Sequence, residues 1–155
     1  MLNITHAKAM KNRVSIYWDF ENVRVPYQAE CLIDFAQLRG DLITKKVYSH
    51  WHQETPDVEY ALDRVGFDRI DVQGEFKNSA DLQLMSDCRK ELKSSLSSDI
   101  IILVSGDKDF ASLVSQLQRY QKRVIIFGRQ DVTNKKLSRL ADEFHFAEEL
   151  CQLVA

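Results

Sequence analysis

Four aspartates occupy positions from which they could act together on a metal ion or a phosphate. Asp19 follows a β-branched and aromatic segment, Asp81 stands at the start of a helical segment, and Asp107 and Asp109 follow an apolar segment. Carboxylates gathered in one cleft repel one another unless a cation balances them. Mg²⁺ and Mn²⁺ prefer oxygen ligands, so this set favours a divalent metal and phosphodiester hydrolysis by metal-activated water.

Each of these aspartates also has a simpler interpretation as a helix N-cap, worth about 1 kcal/mol. The case for a shared site is stronger for Asp81 than capping alone would suggest. Asp81 lies three, four and seven residues before Leu84, Met85 and Cys88, which places it on the same inward face of its helix. A buried carboxylate needs a partner or a metal. Gly106 permits a sharp turn that would aim the next aspartate into the cleft. Four acids at three strand ends therefore favour a shared site.

The order of apolar segments predicts an α/β protein in which strands and helices alternate. Six strands are expected at 14–18, 42–48, 67–72, 100–104, 123–127 and 144–146, and six helices at 27–38, 56–65, 80–92, 110–120, 135–140 and 147–154. This alternation predicts a mostly parallel central sheet covered by helices on both faces, a three-layer α/β/α sandwich. Ligands of such folds bind beyond the carboxyl ends of the strands, where the strand order reverses.

Composition and motifs narrow the class of protein. The chain has 155 residues, taken as one domain over 1–155, and a net charge of −2, so any RNA binding must use a local patch. The chain contains no GxxxxGK[ST], GxGxxG or GxSxG motif. Their absence from the sequence excludes a P-loop NTPase, a dinucleotide-binding protein and a hydrolase with a GxSxG nucleophile elbow. The longest apolar run, Ile100–Val104, is too short to span a membrane. Cys31, Cys88 and Cys151 indicate neither a disulfide scaffold nor a zinc module, and a reducing, cytoplasmic location is expected.

Three motifs resemble those of the NYN domains, a branch of the PIN-like nucleases. Residues 17–23 (YWDFENV) resemble their D-x-D/E-N strand end, 77–82 (KNSADL) their K-x-x-A-D helix start, and 104–110 (VSGDKDF) their S-G-D-x-D-F turn. Segment 140–144 (LADEF) is similar to their closing A-D-x-F segment, and the match runs from about 14 to about 150. It is closest to the LabA-like members, although Gln121 replaces a usual glycine.

This resemblance implies a PIN-like sandwich and a metal-dependent endoribonuclease acting on single-stranded RNA. Carried over by position, the catalytic and metal-binding residues are Asp19, Asp81, Asp107 and Asp109. Asn22, Ser105 and Asp87 would be supporting residues, although Asp87 lies about 240° around the helix from Asp81 and should point away from it. Mg²⁺ or Mn²⁺ is the implied cofactor. Two alternatives stay open: a non-catalytic RNA- or protein-binding regulator, and a phosphatase acting on small metabolites.

Three cations flank the acidic strand ends and could hold the phosphates of RNA, namely Lys77, Lys108 and Arg129. An open groove beside them would favour RNA, whereas a deep closed pocket would favour the phosphatase. Glu21 alternates away from Asp19 and is left out of the site. The aromatic cluster after the second strand (Tyr48, His50, Trp51, His52) could stack on bases, form a homodimer contact, or belong to a small core.

Overall fold

A computed structural model describes residues 11–76, 78–95 and 97–155 of the chain. Within these residues the fold has one parallel sheet of six strands, in the order β3-β2-β1-β4-β5-β6. The strands are β1 (Arg13–Asp19), β2 (Asp41–Ser49), β3 (Asp68–Asp71), β4 (Ile100–Val104), β5 (Arg123–Gly128) and β6 (Glu143–Phe146). The prediction of a mostly parallel sheet is confirmed, and every strand pair of the described sheet is parallel.

Helices cover both faces of this sheet. They are α1 (Ala29–Arg39), α2 (Pro56–Asp63), α3 (Ser79–Leu92), α4 (Ala111–Arg119), α5 (Lys135–Leu140) and α6 (Leu150–Leu153). Four short 3₁₀ turns lie where the sequence predicts helices or loops, at Pro26–Gln28, Trp51–Gln53, Lys108–Phe110 and Ala147–Glu149. One core lies between the sheet and α1, α2 and α6, and a second lies between the sheet and α3, α4 and α5. This is the predicted three-layer α/β/α sandwich.

The central strand β4 contributes side chains to both cores. Residues of β4 are buried throughout and alternate between them: Ile100, Ile102 and Val104 face one, whereas Ile101 and Leu103 face the other. A strand buried on both faces is apolar at every position, which is the pattern of a central parallel strand. β1 on one side and β5 on the other complete the buried middle of the sheet.

The chain reverses direction along the sheet between β1 and β4. From β1 the chain adds β2 and then β3 on one side, and from β4 it adds β5 and then β6 on the other. The crossovers from β1 and from β4 therefore leave in opposite directions, which opens a crevice at the carboxyl ends of these two strands. Asp19 ends β1 and Ser105 follows β4 directly, so the sequence motifs meet at this crevice.

A disulfide between Cys31 of α1 and Cys151 of α6 is a feature that the sequence did not predict. The interpretation that the cysteines do not indicate a disulfide is wrong for this pair, whereas Cys88 is free and buried in the core. The two bonded cysteines are 120 residues apart, so only the packing of α1 against α6 could have revealed them. None of the helices formed by the described residues combines the length and the apolar character needed to cross a membrane.

Candidate metal centre

The turn after β1 brings Asp19 to the floor of the crevice. The backbone carbonyl of Asp19 accepts hydrogen bonds from the amides of Asn22 and Val23, at 3.2 and 3.1 Å, and this closes a tight turn. The amide of Phe20 donates to the Tyr48 carbonyl at 3.1 Å and ties the turn to β2. The side chain of Asp19 is only 2% exposed, so the strand delivers a carboxyl group into the protein interior.

Helix α3 carries Asp81 in its first turn and is held against the sheet by two carboxylates further along. Glu91 accepts hydrogen bonds from the Ser15 hydroxyl at 2.5 Å and the Tyr17 hydroxyl at 2.9 Å, both on β1. Asp87 accepts one from the Tyr48 hydroxyl of β2 at 2.7 Å. Asp87 therefore lies on the sheet side of α3, outside the acidic crevice. These bonds keep α3 in place and so position Asp81, which is 8% exposed.

The turn after β4 places Asp107 and Asp109 opposite Asp81. Asp107 caps the short 3₁₀ helix that follows, because its side chain accepts a hydrogen bond from the Asp109 amide at 3.0 Å. The capping interpretation is therefore correct for this residue, but a carboxylate has a second oxygen that capping does not use. A Cβ at Gly106 would lie 2.7 Å from the Thr133 hydroxyl, so close packing requires glycine here.

Three of the four predicted acids form one cluster. Asp81, Asp107 and Asp109 each offer a carboxylate oxygen, and these three oxygens all lie within 4.8 Å of one another. Asp19 is not one of this trio, but its carboxyl group forms a hydrogen bond with that of Asp81. Exposure increases from the buried Asp19 and Asp81 through the half-buried Asp107 to the exposed Asp109. The four acids thus extend from the buried edge of the sheet to the solvent-exposed opening of the crevice.

Burial and mutual repulsion change the ionisation of the two deeper acids. Burial, and then the neighbouring charge of Asp81, raise the pKa of Asp19 from 3.8 to about 8. Burial also raises the pKa of Asp81 to about 6, and the charges of Asp107 and Asp109 add to this effect. The Asp19–Asp81 bond fits a protonated Asp19 that donates to Asp81, because this bond lowers the pKa of Asp81. Burial and the neighbouring carboxylates thus favour the protonated form of Asp19 near neutral pH.

The donor set fits a hard divalent cation. All three clustered ligand atoms are carboxylate oxygens, which Mg²⁺ and Mn²⁺ prefer, and the oxygens are close enough to share one ion. A cation would also stabilise the ionised forms of Asp19 and Asp81 and lower the raised pKa values. These acids could therefore hold a divalent metal.

Asn22 and Ser105 connect the strand ends beneath the acids. The Asn22 side-chain oxygen accepts a hydrogen bond from the Gly106 amide at 2.9 Å. The Ser105 hydroxyl is fully buried and lies 3.3 Å from both Asp19 and Asn22, and the Asp107 amide donates to it at 3.3 Å. The turns after β1 and β4 are thus held together by side-chain hydrogen bonds. Of the three predicted supporting residues, Asn22 and Ser105 touch the acids or the turns that carry them, whereas Asp87 bonds to Tyr48 outside the crevice.

The acids open into a cleft of about 990 Å³ that is accessible to solvent. Six carboxylates line it: Asp19, Glu21, Glu75, Asp81, Asp107 and Asp109. Neither Lys108 nor Arg129 does so, and no other lysine or arginine of the described chain is part of this lining. Lys77 lies outside the described residues. The predicted basic groove is therefore absent from the described cleft wall, which is acidic.

Sequence reasoning missed the wall formed by the residues after β2 and β3. Glu21 was left out because residues alternate along a strand, but β1 ends at Asp19 and alternation stops there. The Glu21 carboxylate lies 2.8 Å from Nδ1 of His50, and Nε2 of His50 lies 2.7 Å from the Gly74 carbonyl. The hydrogen bond to Glu21 is the main cause that raises the pKa of His50. Phe76 also lines the cleft, in the loop before α3.

Two residues of the predicted aromatic cluster, Tyr48 near the end of β2 and Trp51 after it, belong to the core. Tyr48 is fully buried, and Trp51 is 5% exposed and packs on Phe20 with ring centroids 5.5 Å apart. These two rings are therefore closed to a nucleic-acid base and to a second copy of the chain. Of the three interpretations drawn from the sequence, the core is correct for both residues.

Comparisons with known proteins agree with this fold. The sequence model of the NYN domain matches residues 13–150. The crystal structure of a protein of unknown function, VPA0982, from Vibrio parahaemolyticus RIMD 2210633 superposes with a TM-score of 0.70 and 25% identity, covering 88% of this chain and 93% of that one. No curated protein matches. Since the NYN match spans almost all of the described fold, the chain belongs to the NYN domain family of the PIN-like ribonuclease superfamily.

Proposed function

We propose that this protein is a Mg²⁺- or Mn²⁺-dependent endoribonuclease that hydrolyses phosphodiester bonds of single-stranded RNA in the cytoplasm. The observation that carries the proposal is the convergence of Asp81, Asp107 and Asp109, with Asp19 bonded to Asp81, at the switch point of a NYN domain. The family is nuclease-like, which supports a hydrolase. The cleft is open rather than closed, which favours a polymer over a small phosphorylated metabolite.

In this mechanism the clustered acids hold the metal and Asp19 supports them. Asp81, Asp107 and Asp109 would supply the oxygens, while Asp19 gives up its proton when positive charge arrives. A bound Mg²⁺ or Mn²⁺ would activate water and offset the charge that develops on the leaving oxygen. Ser105 and Asn22 keep the two acidic turns in register through their hydrogen bonds.

We do not propose a histidine as the general base. Both ring nitrogens of His50, the histidine in the cleft lining, are already engaged, one by Glu21 and one by the Gly74 carbonyl. The interaction with Glu21 raises the pKa of His50 and favours its protonated form, which has no lone pair for accepting a proton. We therefore assign no side chain as general base, and the proton of a water activated by a bound Mg²⁺ or Mn²⁺ would pass to bulk solvent.

The direct test compares the wild type with Asp107→Asn on a labelled, unstructured RNA in Mn²⁺, Mg²⁺ or EDTA. Asparagine keeps an oxygen for the helix cap, so the fold should survive while one ligand charge is lost. We expect EDTA to abolish cleavage, and the substitution to reduce it at least about 100-fold. The matched control is Asp34→Asn, an exposed aspartate on α1, which should cleave normally.

Two results would contradict the proposal in different ways. Equal cleavage by the wild type and Asp107→Asn would identify a contaminating nuclease. Bound but uncleaved RNA in every metal would favour the other candidate, a non-catalytic regulator. The acidic cleft wall attracts bare RNA only weakly, and this favours the protein-binding form of the regulator.

A further inference from the structure

Phe76 is a large apolar side chain in a position that folding alone does not explain. It lies in the loop between β3 and α3, lines the acidic cleft, and is 80% exposed. It is the most exposed large hydrophobic residue of the described chain. A phenylalanine in that position contributes little to the core, and scattered exposed residues need no explanation. Phe76, however, lies in the same cleft as the candidate catalytic acids, where an exposed ring is available to bind a ligand.

The backbone around Phe76 is held on both sides. Its carbonyl accepts a hydrogen bond from the Ser79 amide at 3.0 Å, at the start of α3. Two residues earlier, the Gly74 carbonyl lies 2.7 Å from Nε2 of His50. Gly74 has a φ of +89°, a conformation that favours glycine, and Gln83 accepts a hydrogen bond from the Gln73 amide at 3.2 Å. Hydrogen bonds on both sides of Phe76 therefore hold the backbone that carries its ring.

The charge of the cleft defines which part of RNA this ring could bind. The described lining contains six carboxylates and lacks lysine and arginine, so phosphates gain no attraction from this wall. Affinity on this side must come from the uncharged part of the nucleotide. Bases of single-stranded RNA stack on aromatic rings, and this contact tolerates any base because each has a π-face.

We infer that Phe76 is the stacking platform for one unpaired base of the RNA substrate, and that it holds the adjoining phosphate beside Asp81, Asp107 and Asp109. This inference rests on the proposed function and names the part of the substrate that the β3 side of the cleft binds. The cations Lys108 and Arg129 follow β4 and β5, on the opposite side of the switch point. A single strand that passes Phe76 and leaves the cleft on that side would then approach these two cations, which lie outside the cleft lining.

The binding test uses a labelled eight-nucleotide RNA, fluorescence anisotropy, and Ca²⁺ as an oxygen-preferring ion. Phe76→Ala should bind about 5- to 150-fold more weakly, the range expected for one stacked base. Phe76→Trp should bind at least as well as the wild type. The matched control is Tyr120→Ala, which removes another exposed ring, 59% exposed at the end of α4, outside the cleft lining.

A second readout locates the stacked base. Removing one base at a time from the RNA should weaken wild-type binding most at a single position, and Phe76→Ala should abolish the extra loss at that position. Phe76→Trp adds a direct signal, because Trp18 and Trp51 are 0% and 5% exposed and only the new indole is open to iodide quenching. RNA should protect that indole from iodide.

The outcomes separate this inference from the proposed function. Cleavage by the wild type with an unchanged KM in Phe76→Ala would overturn the inference alone, since loss of a stacking contact should raise KM. RNA binding that depends on Phe76 without any cleavage would support the inference and refute the nuclease. A wild type that fails to bind RNA with Ca²⁺ or Mn²⁺ would overturn both.

Discussion

Replacing Asp19 by asparagine tests the electrostatics of the acidic cleft without relying on catalysis. The Asp19 carboxyl is 2% exposed, and burial with the neighbouring charge of Asp81 raises its pKa to about 8. Asparagine has nearly the same shape and can donate a hydrogen bond to Asp81 in place of the protonated acid. Asp19→Asn therefore removes a titration from the cleft while leaving its packing and its hydrogen bond in place.

The expected effect is a change in how stability depends on pH. Between pH 5 and pH 7, folded Asp19 holds a proton, whereas the same residue in the unfolded chain has a pKa near 3.8 and has lost it. The folded state binds the extra proton, so the free energy of unfolding falls as the pH rises, by about 1.4 kcal/mol per unit. Over this interval Asp19 should account for a loss of about 3 kcal/mol.

Other shifted groups can be separated from this effect. Hydrogen bonding to Arg39 lowers the pKa of Glu143 to about 2, so its contribution disappears only as the pH falls below about 4.5. The pKa of His50 is raised, so it adds a loss of the same sign as Asp19, at and above its ordinary 6.5. Burial raises the pKa of Asp81 to about 6, so it also titrates in this interval with the same sign. His50 and Asp81 both remain in Asp19→Asn, and the asparagine donates to Asp81 as the protonated acid does, so the difference between the two proteins cancels their contributions.

The assay is urea unfolding at pH 5, 6 and 7 in EDTA, on the wild type, Asp19→Asn and the surface control Asp34→Asn. The wild type and the control should lose about 3 kcal/mol more than Asp19→Asn between pH 5 and pH 7. Adding Mn²⁺ at pH 7 should stabilise the wild type, by about 2.7 kcal/mol at a hundredfold excess over Kd, and should stabilise Asp19→Asn less. Parallel pH profiles for all three proteins would refute the reasoning.

Two further predictions concern contacts remote from titration. The Cys31–Cys151 disulfide closes a separation of 120 residues, so dithiothreitol should lower the free energy of unfolding by about 5 kcal/mol, while Cys31→Ser should be insensitive to the reductant; identical urea curves with and without dithiothreitol would contradict this. Gly128→Ala would place a Cβ close to the Thr133 hydroxyl and should cost about 1–3 kcal/mol in thermal or urea unfolding. Adding Thr133→Ala should recover part of that loss, and full additivity of the two changes would refute the packing argument.

The fold was predictable because its signals are local and agree with one another. The wholly apolar Ile100–Val104 could only be a central strand, and helical spacing along α3 placed Leu84 and Met85 in the core. Alternating strands and helices admit few arrangements, and the parallel sandwich is the one that buries both faces of the sheet. The switch-point rule then named the strand ends where the acids meet.

The walls of the cleft were less predictable because loop geometry determines them. Strand alternation misassigned Glu21, since the turn after Asp19 rotates it toward His50. The position of Phe76 depends on Gly74 and on a histidine from another strand end, a contact between segments far apart in sequence. The same holds for Lys108 and Arg129, which follow the ends of β4 and β5 in sequence yet lie outside the cleft lining.

In the proposed nuclease, the acidic lining would give a bound metal a second role besides catalysis. RNA-binding proteins commonly neutralise phosphates with lysine and arginine, and a net charge of −2 with an acidic cleft wall leaves this protein without that source of affinity there. A divalent cation held by Asp81, Asp107 and Asp109 would reverse the local charge where a phosphate must approach. Base stacking on Phe76 would add affinity independent of charge. Metal and ring together would thus provide the affinity that a basic groove provides elsewhere, at the point where the bond is cut.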